Sequence, residues 1–178
     1  STTAGAPAAG MRVQLAGSDF GAVTDSTGVA LLADLLPGPY RVAIADPRLD
    51  AIDWMIPTSL QVIAVRDSVV EARPVAETAE EHVRRRCERD GTRVGGSVLI
   101  GRVLAADGTP VGGARWTIRN RTGELLAERG ESGDDGLFHW CALPLGEPVT
   151  VDVERAGRYT TQSVVVRPLT VVRLEFTR

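Results

Sequence analysis

Cysteine and histidine are the residues here whose chemistry depends most on spacing, and the sequence has two of each. His82 lies five residues before Cys87, and His139 lies two residues before Cys141. The cysteines fit a disulfide, two unpaired buried thiols, or a zinc site shared with the histidines. The zinc site is disfavoured, because residues five apart lie about 140° apart around a helix and zinc ligands favour closer pairs.

Acidic residues cluster in two places. Asp134-Asp135 provides too few oxygens for the six to eight ligands of calcium, so we interpret it as a turn. Asp46, Asp50 and Asp53 precede Trp54. A tryptophan among carboxylates is able to stack on a sugar ring or to plug the end of a β-sandwich, and the plug is favoured.

Catalytic chemistry finds no support in the sequence. There is no Gly-Xaa-Ser-Xaa-Gly elbow, and two histidines offer few bases. We therefore predict no enzyme activity, no catalytic residue, no cofactor and no metal. Trp54, Trp116 and Trp140 are the candidate ligand contacts, although aromatic residues make up 4% of the chain and weaken the case for sugar binding.

Composition excludes two classes of partner. The net charge of -3 gives no basic surface for nucleic acid. No apolar run approaches the roughly 18 residues that a membrane span needs. The sequence opens at Ser1 without a signal peptide, so we expect a processed product or a part of a longer polypeptide.

Short alternating strands between tight turns dominate the pattern, which predicts an all-β fold. A proline-containing segment, a strand, an Asp/Gly turn and a second strand follow one another in residues 6–44 and again in residues 109–153. Matching prolines and glycines are offset by between 103 and 108 positions. We interpret this order as a duplicated unit.

Each copy has further strands whose limits the pattern indicates. Residues 60–65 with 67–72, and residues 163–166 with 171–176, predict paired closing strands in the two copies. The second copy also has a strand at 97–104, ahead of its proline signal. Only five residues precede Ala6, so either the first module is cut short or another segment supplies its first strand.

Between the two copies the β pattern stops. Thr78 and Glu81 have the spacing of a capping box, which predicts a short helix over residues 79–88. Glu80 with Arg84, and Glu81 with Arg85, are i,i+4 pairs of the favourable orientation. An isolated helix of this length is marginal in water, so we expect it to pack on a module.

Four motifs of the second copy occur in the order of a known family. They are Gly101-Arg102-Val103, Thr109-Pro110-Val111-Gly112-Gly113-Ala114, Asp134-Asp135-Gly136-Leu137-Phe138 and Leu143-Pro144-Leu145-Gly146. This series resembles the carboxypeptidase regulatory-like domain, and the first copy is similar through its turn at Gly28 and its Leu36-Pro37-Gly38 segment.

The resemblance implies two prealbumin-like antiparallel β-sandwich modules joined by a short helix. The expected boundaries are 1–76 for the first module, 77–95 for the linker helix and 96–178 for the second module. Such modules lie beside peptidases, in surface proteins and on outer-membrane receptors, and they carry no catalytic residues. Since the family is largely exported, the resemblance favours a disulfide between Cys87 and Cys141, which would add about 4 kcal/mol.

The expected function is a non-catalytic structural or interaction module of an exported or cell-envelope bacterial protein. It would lie in the periplasm, at the outer membrane or outside the cell, with an unidentified protein or glycan partner. The alternative is a carbohydrate- or peptide-binding module attached to a peptidase or outer-membrane receptor.

Overall fold

The computed structural model of the chain describes residues 5–54, 58–89, 91 and 97–176. The chain divides into two compact units, Ser1–Glu81 and His82–Arg178. Apart from one α-helix and one 3-10 helix, the regular structure of the described residues is β-strand, which confirms the all-β class. No helix among these residues is long and apolar enough to span a bilayer.

The first unit contains one four-stranded antiparallel sheet. Its spatial order is β2-β1-β3-β4, so the first hairpin lies at one edge and the longest strand is internal. The strands are β1 (Arg12–Leu15), β2 (Gly21–Val23), β3 (Gly38–Ala45) and β4 (Thr58–Ala64). A small cluster of buried residues, Ala8, Met11, Ile44 and Ala76, packs with half-buried Val13 and Leu60.

One short helix lies between β3 and β4, and a second helix follows β4. A 3-10 helix covers Pro47–Ile52, where Asp46 accepts a hydrogen bond from the backbone N–H of Arg48 and caps the first turn. The α-helix α1 covers Ala79–Arg89, one residue beyond the predicted end. Its predicted capping box is confirmed, because Thr78 and Glu81 each accept the other's backbone N–H. The boundary between the two units falls inside this helix.

The second unit is a sandwich of two sheets. One sheet has the order β10-β9-β6-β7, and the other has the order β11-β5-β8. The strands are β5 (Val98–Leu104), β6 (Arg115–Asn120), β7 (Leu125–Glu131), β8 (Leu137–Cys141), β9 (Pro148–Arg155), β10 (Arg158–Val165) and β11 (Leu169–Glu175). Leu99 and Phe138 from one sheet pack with Trp116 and Val151 from the other in a single buried core.

Two expectations about closing strands were wrong. In the second unit β10 pairs with β9, whereas β11 crosses to the other sheet and pairs in parallel with β5. In the first unit residues 67–72 form no strand. A strand forms only where a neighbour receives its backbone hydrogen bonds, and β-propensity alone does not provide that neighbour.

The module boundaries that the sequence places at residues 76 and 95 stay a prediction. Residues 90 and 92–96 of the predicted linker lie outside the described residues, as do 1–4, 55–57 and 177–178.

Gly101 of β5 gives a test of the second core. A Cβ atom there would lie 2.3 Å from the Phe138 ring and 2.5 Å from Val172. Gly101→Ala should therefore lower the free energy of unfolding by about 1–3 kcal/mol through overpacking, measured by urea denaturation. Gly133→Ala is the matched control, since its Cβ atom would meet only the Asp135 side chain closer than 3.5 Å. Equal stability of the two variants would contradict this packing.

Candidate functional site

A disulfide joins α1 to the second sheet of the second unit. The Sγ atoms of Cys87 and Cys141 are bonded at 2.12 Å, with Cα atoms 6.3 Å apart, inside the usual range for a disulfide. Both residues are buried. The predicted pairing is confirmed, and the alternative of two free thiols is wrong.

The buried face of the helix explains why the cysteines meet. Val83 and Cys87 are four residues apart, so they share one helix face, and both are buried. Cys141 ends β8, where it pairs with Val98 of β5. With both sulfur atoms in the disulfide, neither thiolate is available to a metal, and the zinc alternative is wrong. The described residues contain no cluster of three or more metal-ligating side chains.

An aromatic cleft of about 270 Å³ lies in the same unit. The ring centroid of Trp116 is 5.4 Å from that of Phe138 in a stacked arrangement and 5.9 Å from that of Trp140 in an edge arrangement. The cleft is lined by these three rings and by Arg86, Glu131, Gly133, Asp135, Leu137 and His139. It is smaller than the roughly 300–1,000 Å³ of ordinary small-molecule pockets, so it fits a single ring or side chain.

The two tryptophans of the cleft differ in accessibility. Trp116 is buried in the core, and a Cβ atom on Gly130 would lie 2.3 Å from its indole ring. Its indole Nε1 has no hydrogen-bond partner among the described residues. Trp140 is half-buried and lines the same cleft. Of this pair, Trp140 is therefore the better placed to contact a ligand.

Trp54 lies in the first unit, immediately after the 3-10 helix, and is half-buried. Its backbone N–H donates to the carbonyl of Leu49 at 3.2 Å. Asp53, in the left-handed region with φ 47°, caps the end of the same helix. Asp50 forms an ion pair with Arg12 at 2.6 Å. Asp53 thus ends the 3-10 helix and Asp50 connects that helix to β1, which agrees with a structural role.

The acidic pair of the second unit is also part of a turn. The carboxylate of Asp135 accepts the backbone N–H of Leu137 at 3.0 Å, and its carbonyl accepts the Nε–H of Arg102. This is the turn that the sequence predicts at Asp134-Asp135.

An ion network around Asp46 was not foreseen from the sequence. Arg48 donates to the buried carboxylate of Asp46 at 2.6 Å and to both carboxylate oxygens of Glu80 at 2.6 and 2.7 Å. The N–H of Ala79 also approaches Asp46 at 3.4 Å. The Asp-Pro-Arg order after a strand is a weak signal for the local pair, but Glu80 is 32 residues from Arg48.

Burial acts to raise the pKa of Asp46, but the hydrogen bonds and charge of Arg48 outweigh it. The net result is a pKa below the usual value for aspartate. The ionised carboxylate is therefore the form that the folded first unit stabilises.

The chain matches no protein-family profile and no curated protein. Among solved structures it is similar to the major pilin subunit BcpA of Bacillus cereus, at 11% identity and a TM-score of 0.37 over 81% of this chain and 40% of the pilin. It is similar to the Bacillus anthracis TIE protein at 14% identity and a TM-score of 0.37, over 99% of this chain and 32% of that protein.

A third similarity is to 3-chlorocatechol 1,2-dioxygenase from Rhodococcus opacus, at 12% identity and a TM-score of 0.32. It covers 46% of this chain and 60% of the dioxygenase. The chain thus spans less than two thirds of each of these three proteins. At these scores none of them indicates what this protein does.

Asp46→Asn tests the ion network through pH. Because the folded pKa lies below the unfolded value of about 3.9, the carboxylate stabilises the fold above that pH, and this contribution is lost as pH falls through the folded pKa. The variant should lose about 1–3 kcal/mol at pH 7 and show a flatter loss of stability in acid, measured by denaturation from pH 7 to pH 2. Asp34→Asn removes the same charge at an exposed site and is the control. An acid profile of Asp46→Asn that matches the unsubstituted protein would overturn the assignment.

Proposed function

We propose that this chain is a non-catalytic structural module of an exported or cell-envelope bacterial protein. The observation that carries the proposal is the buried disulfide between Cys87 and Cys141. Structural disulfides persist in the periplasm and outside the cell, whereas cytoplasmic reductants keep most thiols reduced. The periplasm, the outer-membrane surface and the extracellular medium all meet that condition.

In this proposal the module has a mechanical role and acts as a rigid brace. The disulfide fixes the C-terminal half of α1 covalently to the end of β8, next to the central strand of its sheet. The core of this unit is drawn from both of its sheets, so the helix is attached to a rigid body. A covalent anchor of this kind resists local unfolding more than burial of Val83 and Cys87 alone would.

The sequence resemblance supports the same role. The sequence motifs of both units resemble those of carboxypeptidase regulatory-like domains, and we take the units as two copies of that module. The chemistry of the site agrees with a non-enzymatic role in one further respect. Both cysteines are bonded to each other, so neither is available as a nucleophile.

Removal of the disulfide is the direct test of bracing. A Cys87→Ala/Cys141→Ala variant should lose up to about 4 kcal/mol of stability, because the closed loop spans 54 positions. Thermal melts with and without reductant should show a lower Tm for the reduced protein and no effect of reductant on the double variant. An unchanged Tm of the original protein under full reduction, checked by thiol titration, would contradict the proposal.

A second candidate function is carbohydrate or peptide binding by a module attached to a peptidase or outer-membrane receptor. The observation that favours it is Trp140, which lines a cleft that also contains Arg86, Glu131 and Asp135. An aromatic face beside charged groups is a common way to bind a sugar ring or a peptide side chain.

Trp140→Ala separates this function from bracing. A glycan or peptide array should give a signal that Trp140→Ala abolishes and that Trp54→Ala, in the other unit, retains. Loss of signal in both variants, or no signal from the unsubstituted protein, would remove the cleft as a binding site. The array result does not bear on the disulfide.

A further inference from the structure

The sheet formed by β11, β5 and β8 depends on its middle strand. β5 pairs with β8 on one edge and with β11 on the other, and those two outer strands do not pair with each other. The register sets Gly101 opposite Phe138 on one side and opposite Val172 on the other. Without β5, neither outer strand would have a partner for its backbone groups within this sheet.

The hydrogen bonds that precede β8 in the second unit also occur in the first unit. In the second unit the hydroxyl of Ser132 accepts the backbone N–H of Ala114 at 3.0 Å. In the first unit the hydroxyl of Thr24 accepts the backbone N–H of Met11 at 2.9 Å. The backbone N–H of Thr24 donates to the carbonyl of Met11, as that of Ser132 does to Ala114.

The following turn is the same in both units. Gly136 donates its N–H to the carbonyl of Gly133 at 2.8 Å, and Gly28 donates to the carbonyl of Asp25 at 3.0 Å. Both Gly136 and Gly28 lie in the left-handed region, with φ 74° and 76°. Residues 29–33 of the first unit are therefore equivalent to β8.

The four-stranded sheets of the two units are equivalent as well. The order β2-β1-β3-β4 of the first unit corresponds to β7-β6-β9-β10 of the second. Pro39 pairs with Ile63 across β3 and β4, as Pro148 pairs with Val165 across β9 and β10. Counting onward from these pairs makes residues 67–73 equivalent to β11, so that Val70 corresponds to Val172.

The equivalent segments differ in structure and exposure. Residues 29–33 and 67–73 form no strand. Val29 is 60% exposed and Val70 is 44% exposed, whereas their equivalents Leu137 and Val172 are buried. Ala30 is half-buried, and its equivalent Phe138 is buried in the core. Exposed apolar residues on two segments that form no strand are typical of a surface that another chain covers.

We propose that the first unit takes up an extended apolar strand from another polypeptide. The strand would lie between residues 29–33 and residues 67–73, antiparallel to the first and parallel to the second, as β5 does in the second unit. Main-chain hydrogen bonds on both edges would give affinity, and alternate side chains would cover the inner face of the β2-β1-β3-β4 sheet. This uptake goes beyond the bracing role and does not depend on it.

Two positions define the sequence of the bound strand. Gly101 in β5 has no space for a side chain because Phe138 and Val172 lie against it. In the first unit Ala30 stands in place of Phe138, and Val70 stands in place of Val172. The methyl group of Ala30 is much smaller than the phenylalanine ring, so it leaves space beside the bound strand that the ring fills in the second unit. A large apolar residue is therefore favoured at the position of Gly101.

The next position of the strand favours a basic residue. In the second unit Arg102 lies beside Arg173 in the parallel register. The equivalent of Arg173 in the first unit is Glu71, which is exposed and forms an ion pair with Arg73 at 2.8 Å, leaving its second carboxylate oxygen for a charge on the bound strand. Opposite charges on neighbouring strands add a modest attraction. The bound segment is thus an apolar strand in which a large residue is followed by a basic one. β5 itself does not fit, because it has a glycine at the first of these positions and already has partners on both edges.

The test uses the full chain and two synthetic peptides with a solubilising tail. One has the sequence of residues 97–104, and the other has leucine in place of its glycine. Hydrogen exchange measured by mass spectrometry should show that the leucine peptide protects residues 29–33 and 67–73. It should bind about tenfold tighter than the glycine peptide, and replacing its arginine by glutamate should weaken it. Residues 137–141 and 169–175 should not change and serve as the internal control.

Ala30→Phe tests the same size match from the side of the protein. Phenylalanine at residue 30 should fill the space above the strand, so the glycine peptide should become the tighter of the two. Circular dichroism checks that this variant, altered at a half-buried residue of an irregular segment, keeps its fold. As a second format, the leucine strand is fused before Ser1 through a flexible linker. No protection of either segment in both formats, or an unchanged preference in Ala30→Phe, would overturn the proposal, whereas the disulfide result would be untouched.

Discussion

The middle strand of a sheet satisfies backbone hydrogen bonds on two edges at once, and the second unit is organised around that fact. β5 carries apolar residues along its length and separates β8 from β11, which otherwise have no partner within that sheet. The core of the sandwich follows from it, because Leu99 and Val103 of β5 pack against residues of the opposite sheet. The disulfide then attaches α1 at Cys141, whose strand neighbour is Val98 of β5. The sheet, the core and the position of the disulfide-bonded helix thus all depend on β5.

The first unit shows what the same pattern yields when no described segment fills that position. Its four-stranded sheet keeps the strand order and register of its counterpart, and its buried hydrophobic residues include Met11, Ile44, Leu49 and Ile52. Polar interactions add to this packing: Arg48 joins the carboxylates of Asp46 and Glu80, and Asp46 is buried. Such a pairing is directional and sensitive to pH, whereas the core of the second unit is apolar.

Sequence reasoning succeeded where the signal is local. The capping box at Thr78 and Glu81, the turns at Gly28 and Gly136, and the all-β class depend on neighbours within a few residues. The disulfide came from the number of cysteines and the resemblance to exported domains. Reasoning failed where the partner is distant: residues 67–72 have the β-propensity of a strand, but they lack a neighbour, and β11 pairs in parallel with a strand about 70 residues earlier. The bridge from Arg48 to Glu80 is likewise a tertiary contact that no local pattern indicates.

Native-state hydrogen exchange of the chain without any added peptide tests the dependence on the middle strand most directly. The amides of β8 and β11 that donate to β5 should exchange slowly, because β5 pairs with each of these strands along one edge. Amides of residues 29–33 and 67–73, the equivalents in the first unit, should exchange close to the rate of an unstructured peptide, while those of β1 and β3 remain protected. Slow exchange in residues 29–33 and 67–73, comparable to that of β8 and β11, would contradict the account.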